Sequence, residues 1–376
     1  MKILQAKKTG KSGFDFESPI VALKAPLVLV FGNRYMLQDK GLFEEVRSLF
    51  PDGHLVFGTT SGEIMGQKVY ANTVVLTAIE FEHGHFLVKN ENISSYDNDD
   101  IKLGENLAGQ FPQEGLKHVF VVSEGSNVNG SDLINGLQKN HLGKFGLSGG
   151  LCGDDDRFEL TLSSYNEPPR EGEVVAIGFY GESLEISCAN YGGWTPFGPE
   201  RLITKSYKNV LCELDGKPAL DLYKRYLGNK SEELPKSALL YPLSVRGKTG
   251  EPIVRTILNI DEEKNAMILA GDVPEGSKVQ LMMATVDDIA NGARSAAKLA
   301  VEGRREKTQL ALLVSCVGRK LVMDQRTEEE IEEVSTMIGG DAVITGFYSY
   351  GEMAPFAGKD ACKLHNQTMT LTLLSE

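Results

Sequence analysis

The chain has 376 residues, 52 acidic against 39 basic side chains, and a formal net charge of −13. That length exceeds one ordinary core, so two domains are expected, and a chain 41% hydrophobic and 24% charged is globular rather than disordered. The acidity, with no basic stripe, excludes nucleic acid and an anionic membrane surface as partners.

The first 25 residues read as an N-terminal extension without the apolar core of a signal peptide. No apolar run approaches the roughly eighteen residues of a membrane span. A cytoplasmic location is expected, with the five scattered cysteines reduced.

Residues 26–32 (PLVLVFG) then form an apolar run that stops at glycine, as a buried strand does. Leu42, Val46, Leu49 and Phe50 follow at helical spacing. A strand at 55–57 leads into the loop 58–63 (GTTSGE), and a strand at 74–79 leads away. A looser copy of this order begins at 118–123 (HVFVVS), with a helix over 131–137 and the loop 149–154 (GGLCGD). Strands at 158–163 and 173–180 follow, joined by a hairpin loop at 166–172.

Near the C-terminus the order returns. The run 310–314 (LALLV) ends at 315–318 (SCVG), and a helix carries Ile331, Val334, Met337 and Ile338 on one face. Thr327 and Glu330 are spaced as its capping box. A strand at 342–345 enters the loop 346–352 (GFYSYGE), and a strand through 369–373 closes the copy. His365 and Gln367 fall on the same face as Met369, Leu371 and Leu373 if the strand is continuous. Between the copies, 191–199 (YGGWTPFGP) is irregular, and a domain boundary is placed near 208: 26–208 and 209–376. The second domain includes a helix over 287–301, for which Thr285 and Asp288 form a capping box.

Strands alternating with helices predict an α/β (or α+β) protein, two domains built on repeated β-α-β-loop-β units with mixed, largely buried sheets. Glycines at strand ends let backbone N–H groups approach a ligand, and loops at the carboxyl ends of strands line a crevice. A cleft is expected where the first and third copies meet. The same glycines also suit strands that bend tightly, and Glu63 or Glu352 would serve equally as a cap for a backbone donor.

Together, GTTSGE (58–63), GGLCGD (149–154), GFYSYGE (346–352) and CKLHNQT (362–368) resemble the FIST sensory-domain family. The similarity runs through nearly all of the chain after residue 25, as an N-terminal and then a C-terminal FIST region. DGKPA (215–219), Arg255 and GDVPEG (271–276) fit the same pattern. The resemblance implies a bacterial intracellular sensor of small molecules, amino acids or related metabolites among them. It also implies a separate signalling partner: a histidine kinase, a chemotaxis receptor or a cyclic-di-nucleotide enzyme. Some relatives are haem proteins responsive to nitric oxide, so haem is the alternative cofactor to none.

The candidate ligand-binding residues are Thr60, Ser61, Gly62 and Glu63 from the first loop, with Gly149, Gly150 and Asp154 from the second. Tyr348, Ser349, Tyr350, Gly351 and Glu352 come from the third. An amino acid needs carboxylates for its ammonium group and a cation for its carboxylate, for which Arg255 and Arg319 are the candidates. His365 and Asn366 complete the set, although a histidine on an apolar face also reads as a hydrogen-bonded core residue. Haem would take one axial ligand from His54, His83, His85, His118, His141 and His365. Cys362 and His365 form a C-x-x-H pair with no second pair at zinc-site spacing.

Catalysis has the least support. Ser61 lacks the preceding glycine of a nucleophile elbow, and neither a P-loop nor a dinucleotide fingerprint is present. A hydrolase or transferase using the loop carboxylates, or a Cys316 nucleophile helped by Arg319, is the enzyme alternative.

Overall fold

The runs 27–32, 116–123 and 310–316 fold as the central strands of three sheets. In Leu27–Gly32 and Leu310–Cys316 every residue is buried, and in Leu116–Ser123 only Lys117 is exposed. Each pairs in parallel with a strand reached through a helical crossover: His54–Thr59, Gly146–Leu151 and Val343–Ser349. On its other edge each pairs with an antiparallel strand: Thr73–Glu80, Glu173–Tyr180 and Met369–Ser375. The result is three six-stranded mixed sheets of one design. The coordinates are a computed structural model describing residues 1–141, 143–247, 251–356 and 361–376.

After its second parallel strand, each repeat leaves its own sheet. Glu63–Met65 pairs with Val343–Ser349 of the third sheet. Ser163–Tyr165 pairs with His54–Thr59 of the first, and Gly351–Pro355 with Gly146–Leu151 of the second. The exchange is cyclic, so strands from both sides of residue 208 share sheets. Residues Lys2–Thr9 join the first sheet, antiparallel to Thr73–Glu80.

Strand alternation divides the side chains between two layers. Leu27, Leu29 and Phe31 face a central core with Phe120, Val122, Ile177, Leu312, Val314 and Phe347 from the other sheets. Phe31 and Phe347 meet there with ring centroids 4.6 Å apart. The intervening Val28 and Val30 face outward, against Leu42 and Val46 of the helix Lys40–Leu49. Asp100–Gly109 and Gly130–Gln138 cover the second sheet, and Val286–Val301 and Glu328–Ile338 the third. Each buried Leu or Phe contributes roughly 1.5–3 kcal/mol, so a strand apolar on both faces is held twice over.

Residues 195–283 form a separate eight-stranded sheet between the third-sheet strand Glu185–Tyr191 and the helix Val286–Val301. It has its own core, in which Leu220 and Tyr223 of the helix Ala219–Leu227 lie against Ile203, Leu211, Met267 and Val279. The chain returns at Thr285, whose side chain and Asp288 make the expected capping box.

Three local expectations change. Thr327 makes no side-chain cap, because Glu330 turns inward to pair with Arg319. The strand through His365 and Met369 is not continuous: Cys362–His365 lies in the second sheet and Met369–Ser375 in the third. Gln367, at φ 65, makes the break between them. Residues 158–162 carry a crossover, and strand begins only at Ser163. Among the described residues, no helix is long and apolar enough to cross a membrane.

Candidate functional site

The first and third glycine loops meet, but as a closed seam. The Ser61 N–H donates to the Tyr348 carbonyl at 2.8 Å, and the Tyr348 N–H to that of Gly62 at 2.8 Å. The strands that follow then pair. Backbone pairing thus fills the place where a cleft was expected.

Glu63 and Glu352 repeat one local motif within this seam. Glu63 accepts hydrogen bonds from the hydroxyls of Thr60 and Thr73, both at 2.6 Å. Glu352 accepts from the Ser349 hydroxyl at 2.7 Å and from the Thr368 hydroxyl and N–H at 3.0 and 3.1 Å. In each case one donor lies three residues before the carboxylate and another on a later segment, so the carboxylate staples a crossover. Burial raises both pKa values to about 7, against the opposing pull of these donors. The carboxylates that the hydrolase or transferase alternative would use are therefore inside the protein: Glu63 is 1% exposed and Glu352 0%.

The second loop is built differently. Asp154 is buried in ion pairs with Arg34 at 2.9 Å and Arg157 at 2.6 Å. Its repeat instead uses Glu124, which accepts from the Ser126 and Asn127 N–H groups, both at 2.7 Å, and from Thr161. Gly149 and Gly150 are strand residues paired with Met353 and Glu352. Gly149 is at φ +143, and a Cβ there would lie 2.1 Å from the Val121 carbonyl, so only glycine fits. Lys320 closes the seam, donating to the Ser61 carbonyl at 2.5 Å and facing Asp155 at 3.6 Å.

Arg319 is fully buried with Glu330. Its Nε and Nη2 donate to one carboxylate oxygen at 2.9 and 2.7 Å, and Nη2 also reaches the Ile289 carbonyl at 2.9 Å. The other oxygen of Glu330 accepts from Tyr348 at 2.5 Å and Ser315 at 3.0 Å. No donor of this cation is directed at open space. Cys316 is buried, and burial drives its thiol well above the ordinary range, with Arg319 only a minor opposing influence.

Open space lies instead where the inserted sheet meets the second sheet. A cleft of about 870 Å³ is bounded by Ser126 and Gly130 on one side and by Leu269 and Gly271 on the other, with Phe158 and Tyr350 also in its wall. It opens at the carboxyl ends of Leu116–Ser123 and Gly146–Leu151, where α/β sheets form crevices. Tyr350 stacks on Phe158 with centroids 4.4 Å apart and accepts the Phe158 N–H at 3.0 Å. Behind the wall, Asn366 donates to the Tyr350 carbonyl at 3.3 Å, and its own side-chain oxygen has no partner. Arg255, 6% exposed, donates through Nη1 to the carbonyl of Leu364, another wall residue, at 2.8 Å.

His365 is next along that strand and faces a second cavity of about 1150 Å³, with Trp194, Val254 and Leu299. Its ring packs edge-on against Phe356, and Nε2 lies 3.0 Å from the Ala354 carbonyl. Burial lowers its pKa to about 4, so the imidazole is neutral. His118 is buried against Ser148 at 2.6 Å, and His54 contacts Tyr165 at 2.6 Å. Among the described residues no group of three or more His, Cys, Asp or Glu could hold a metal ion.

Of the sequence-predicted residues, Thr60, Ser61, Gly62, Glu63 and Tyr348 meet in the seam, with Ser349 and Glu352 stapling its third-copy side. Tyr350, Gly351, Asn366 and Arg255 gather behind or along the junction cleft. Arg319 backs the seam through Glu330, which also accepts from Tyr348, whereas Asp154 and His365 belong to two other places.

This fold agrees with what comparison of the sequence shows. The FIST N domain matches residues 26–217 and the FIST C domain residues 219–355. The chain belongs to the FIST family. FIST domains are recognised as sensory, ligand-binding domains of signal transduction. The FIST N match carries the first two repeats and the start of the inserted sheet, while the FIST C match carries the rest of that sheet and most of the third repeat. An uncharacterised protein of Methanocaldococcus jannaschii is 27% identical over 255 residues, 58% of this chain and 46% of the relative. An uncharacterised protein of Mycobacterium tuberculosis is 28% identical over 223 residues, 54% of this chain and 55% of the relative. The chain spans about half the length of these curated relatives.

Sequence reasoning named none of the cleft-lining Ser126, Gly130, Leu269 and Gly271 as a binding residue, although Gly271 opens the GDVPEG segment already noted. For the first two a signal existed: 124–130 (EGSNVNG) is a glycine-bearing loop between a buried strand and a helix. The other two face it only because the inserted sheet docks there.

Proposed function

We propose that this FIST protein is an intracellular sensor that binds a small ligand in the junction cleft and signals through a separate partner. The observation that carries the reading is the origin of the cleft's walls. One side belongs to the three-sheet body and the other to the inserted sheet, which has its own core. A ligand touching both sides favours the arrangement in which they are closest, and differential affinity for that arrangement shifts the population. The partner, a histidine kinase, a chemotaxis receptor or a cyclic-di-nucleotide enzyme, reads the altered surface.

A thermal-shift screen of the full chain against amino acids and related metabolites tests this. A ligand at a hundred times its dissociation constant stabilises the fold by about 2.7 kcal/mol. Ser126 is exposed on the cleft wall. Ser126→Trp is expected to abolish the shift while leaving the unliganded melting temperature within a degree or two. Persistence of the shift in that variant would remove the ligand from this cleft.

A second reading, a haem-binding nitric-oxide sensor, is favoured by His365. Its neutral imidazole keeps Nδ1 as the available nitrogen, and Trp194, Val254 and Leu299 supply apolar surface around it, so the residues fit the group. Bound there, haem would supply an iron centre for a diatomic gas. A Soret band on reconstitution that disappears in His365→Ala supports this reading, and no band, or one indifferent to that substitution, overturns it.

A further inference from the structure

We propose that the junction cleft takes a neutral cyclic amide, held by its carbonyl at Asn129 and by its ring N–H at Asn209. The inference rests on the ligand-binding reading above and names its chemistry. Both asparagines line the cleft, Asn129 on the body side and Asn209 on the side of the inserted sheet. Asn129 caps the helix Gly130–Gln138: its Oδ1 accepts the Ser131 and Asp132 N–H groups at 3.0 and 3.2 Å. Its Nδ2 is therefore the end turned away from the helix, a pair of N–H donors at the wall.

Asn209 is set the other way round. It stands between the strands Thr195–Tyr207 and Val210–Leu214, and its Nδ2 donates to the Leu269 carbonyl at 2.9 Å. The Asn209 carbonyl also accepts the Leu269 N–H at 2.9 Å, so main chain and side chain grip one residue of the neighbouring strand. Oδ1 is left as an acceptor. These backbone partners fix which end of each amide is oxygen and which is nitrogen. Among the described residues neither the Asn129 Nδ2 nor the Asn209 Oδ1 has a hydrogen-bond partner, and neither atom is buried. One wall thus offers a donor and the other an acceptor, the complement of a ligand carbonyl and a ligand N–H.

The rest of the wall selects a neutral ring. Phe158 and Tyr350 form the stacked aromatic pair, and Phe158 holds its place at φ 53, a left-handed conformation that an aromatic side chain disfavours. Leu151, Leu258 and Leu269 add apolar surface. The side chains that line the cleft are apolar, aromatic, hydroxyl or amide, so an ionised group would give up hydration there without a counter-charge to replace it. A ring amide carries strong donors and acceptors with no net charge, and its planar face suits the aromatic pair. Free amino acids, which enter with both an ammonium group and a carboxylate, fit this wall less well. Because the two asparagines stand on opposite sides of the junction, a ligand that bonds both favours the closed arrangement.

Calorimetric titration of the full chain with thymine, hypoxanthine and cyclo(Gly-Phe) tests the proposal and separates a nucleobase from a cyclic dipeptide as the source of the amide. The controls are N,N′-dimethylthymine, which lacks the ring N–H, and linear glycyl-phenylalanine, which carries both charges. At least one ring amide is expected to bind, about tenfold or more tightly than either control. Asn129→Ser keeps a helix cap but loses the amide donor, and Asn209→Ala loses the acceptor. Each is expected to weaken binding by about tenfold. The urea midpoint of Asn129→Ser should stay close to that of the parent, which separates loss of the donor from loss of the cap. Should Asn209→Ala fail to fold, Asn129→Ser and Ser126→Trp carry the test. Failure of all three ring amides to bind at millimolar concentration, a control that binds as tightly as any of them, or binding unchanged in Asn129→Ser overturns the proposal. If Ser126→Trp abolishes binding while the asparagine variants retain it, the cleft stands and its amide chemistry falls. If binding survives Ser126→Trp, the cleft itself is wrong.

Discussion

The seam between the glycine loops and the junction cleft are both rich in polar groups, yet they balance those groups in opposite ways. In the seam, Glu63, Glu352 and Arg319 have their charges answered by hydroxyls, backbone groups or Glu330. At the cleft, Arg255 and Asn366 each keep a buried polar atom without a partner. Polar satisfaction marks the seam as architecture that holds the cyclic strand exchange together. Incomplete satisfaction beside open space agrees with the ligand-binding reading proposed for the cleft.

The strongest way to break this contrast is at the seam. Arg319→Ala leaves Glu330 buried without its cation and is expected to cost about 3–5 kcal/mol, read from urea unfolding. A loss below about 1 kcal/mol would mean that the pair is not structural. The second test is pH dependence. The folded-state pKa values of Glu63 and Glu352 are raised from 4.5 to about 7, so between those values the folded protein binds more protons than the unfolded chain. Their contribution is present in full below about pH 4.5 and is lost as pH rises through 7, by roughly 3 kcal/mol each at about 1.4 kcal/mol per unit. Glu63→Gln and Glu352→Gln should each flatten the slope of urea midpoint against pH, while ligand binding in the cleft is retained.

Smaller effects sharpen the picture. Gly149→Ala forces a Cβ toward the Val121 carbonyl and is expected to destabilise by about 1–3 kcal/mol, again from urea unfolding. The smallest expected change in stability is that of Ser126→Trp, within about 0.5 kcal/mol, although it should cost the most in ligand binding. Inverting that order, with Gly149→Ala harmless to the fold and Ser126→Trp harmless to binding, would dissolve the distinction between seam and cleft.

The fold was largely legible because period and punctuation are local. The runs 27–32 and 310–314 are apolar on every residue and end at small residues, which reads as a strand buried on both faces. The capping box at Thr285 was legible for the same reason. Its counterpart at Thr327 was not, since Glu330 is drawn away by Arg319, eleven residues distant and fully buried. The break at Gln367 was hidden as well: alternation describes a strand but not the sheet that it joins.

By itself, the sequence determined the repeated unit, the strands and helices within it, and the residue types able to bind or staple. Those follow from hydrophobic period, glycine and capping chemistry, all of which act over a few residues. Only the tertiary structure decided which sheet each crossover enters, because pairing partners for Glu63–Met65 and Gly351–Pro355 lie hundreds of residues away. The same long-range docking buried the loop carboxylates and placed Gly271 opposite Ser126. A cleft formed where two sheets with separate cores meet has no local signature, so its position emerges only once the chain is packed.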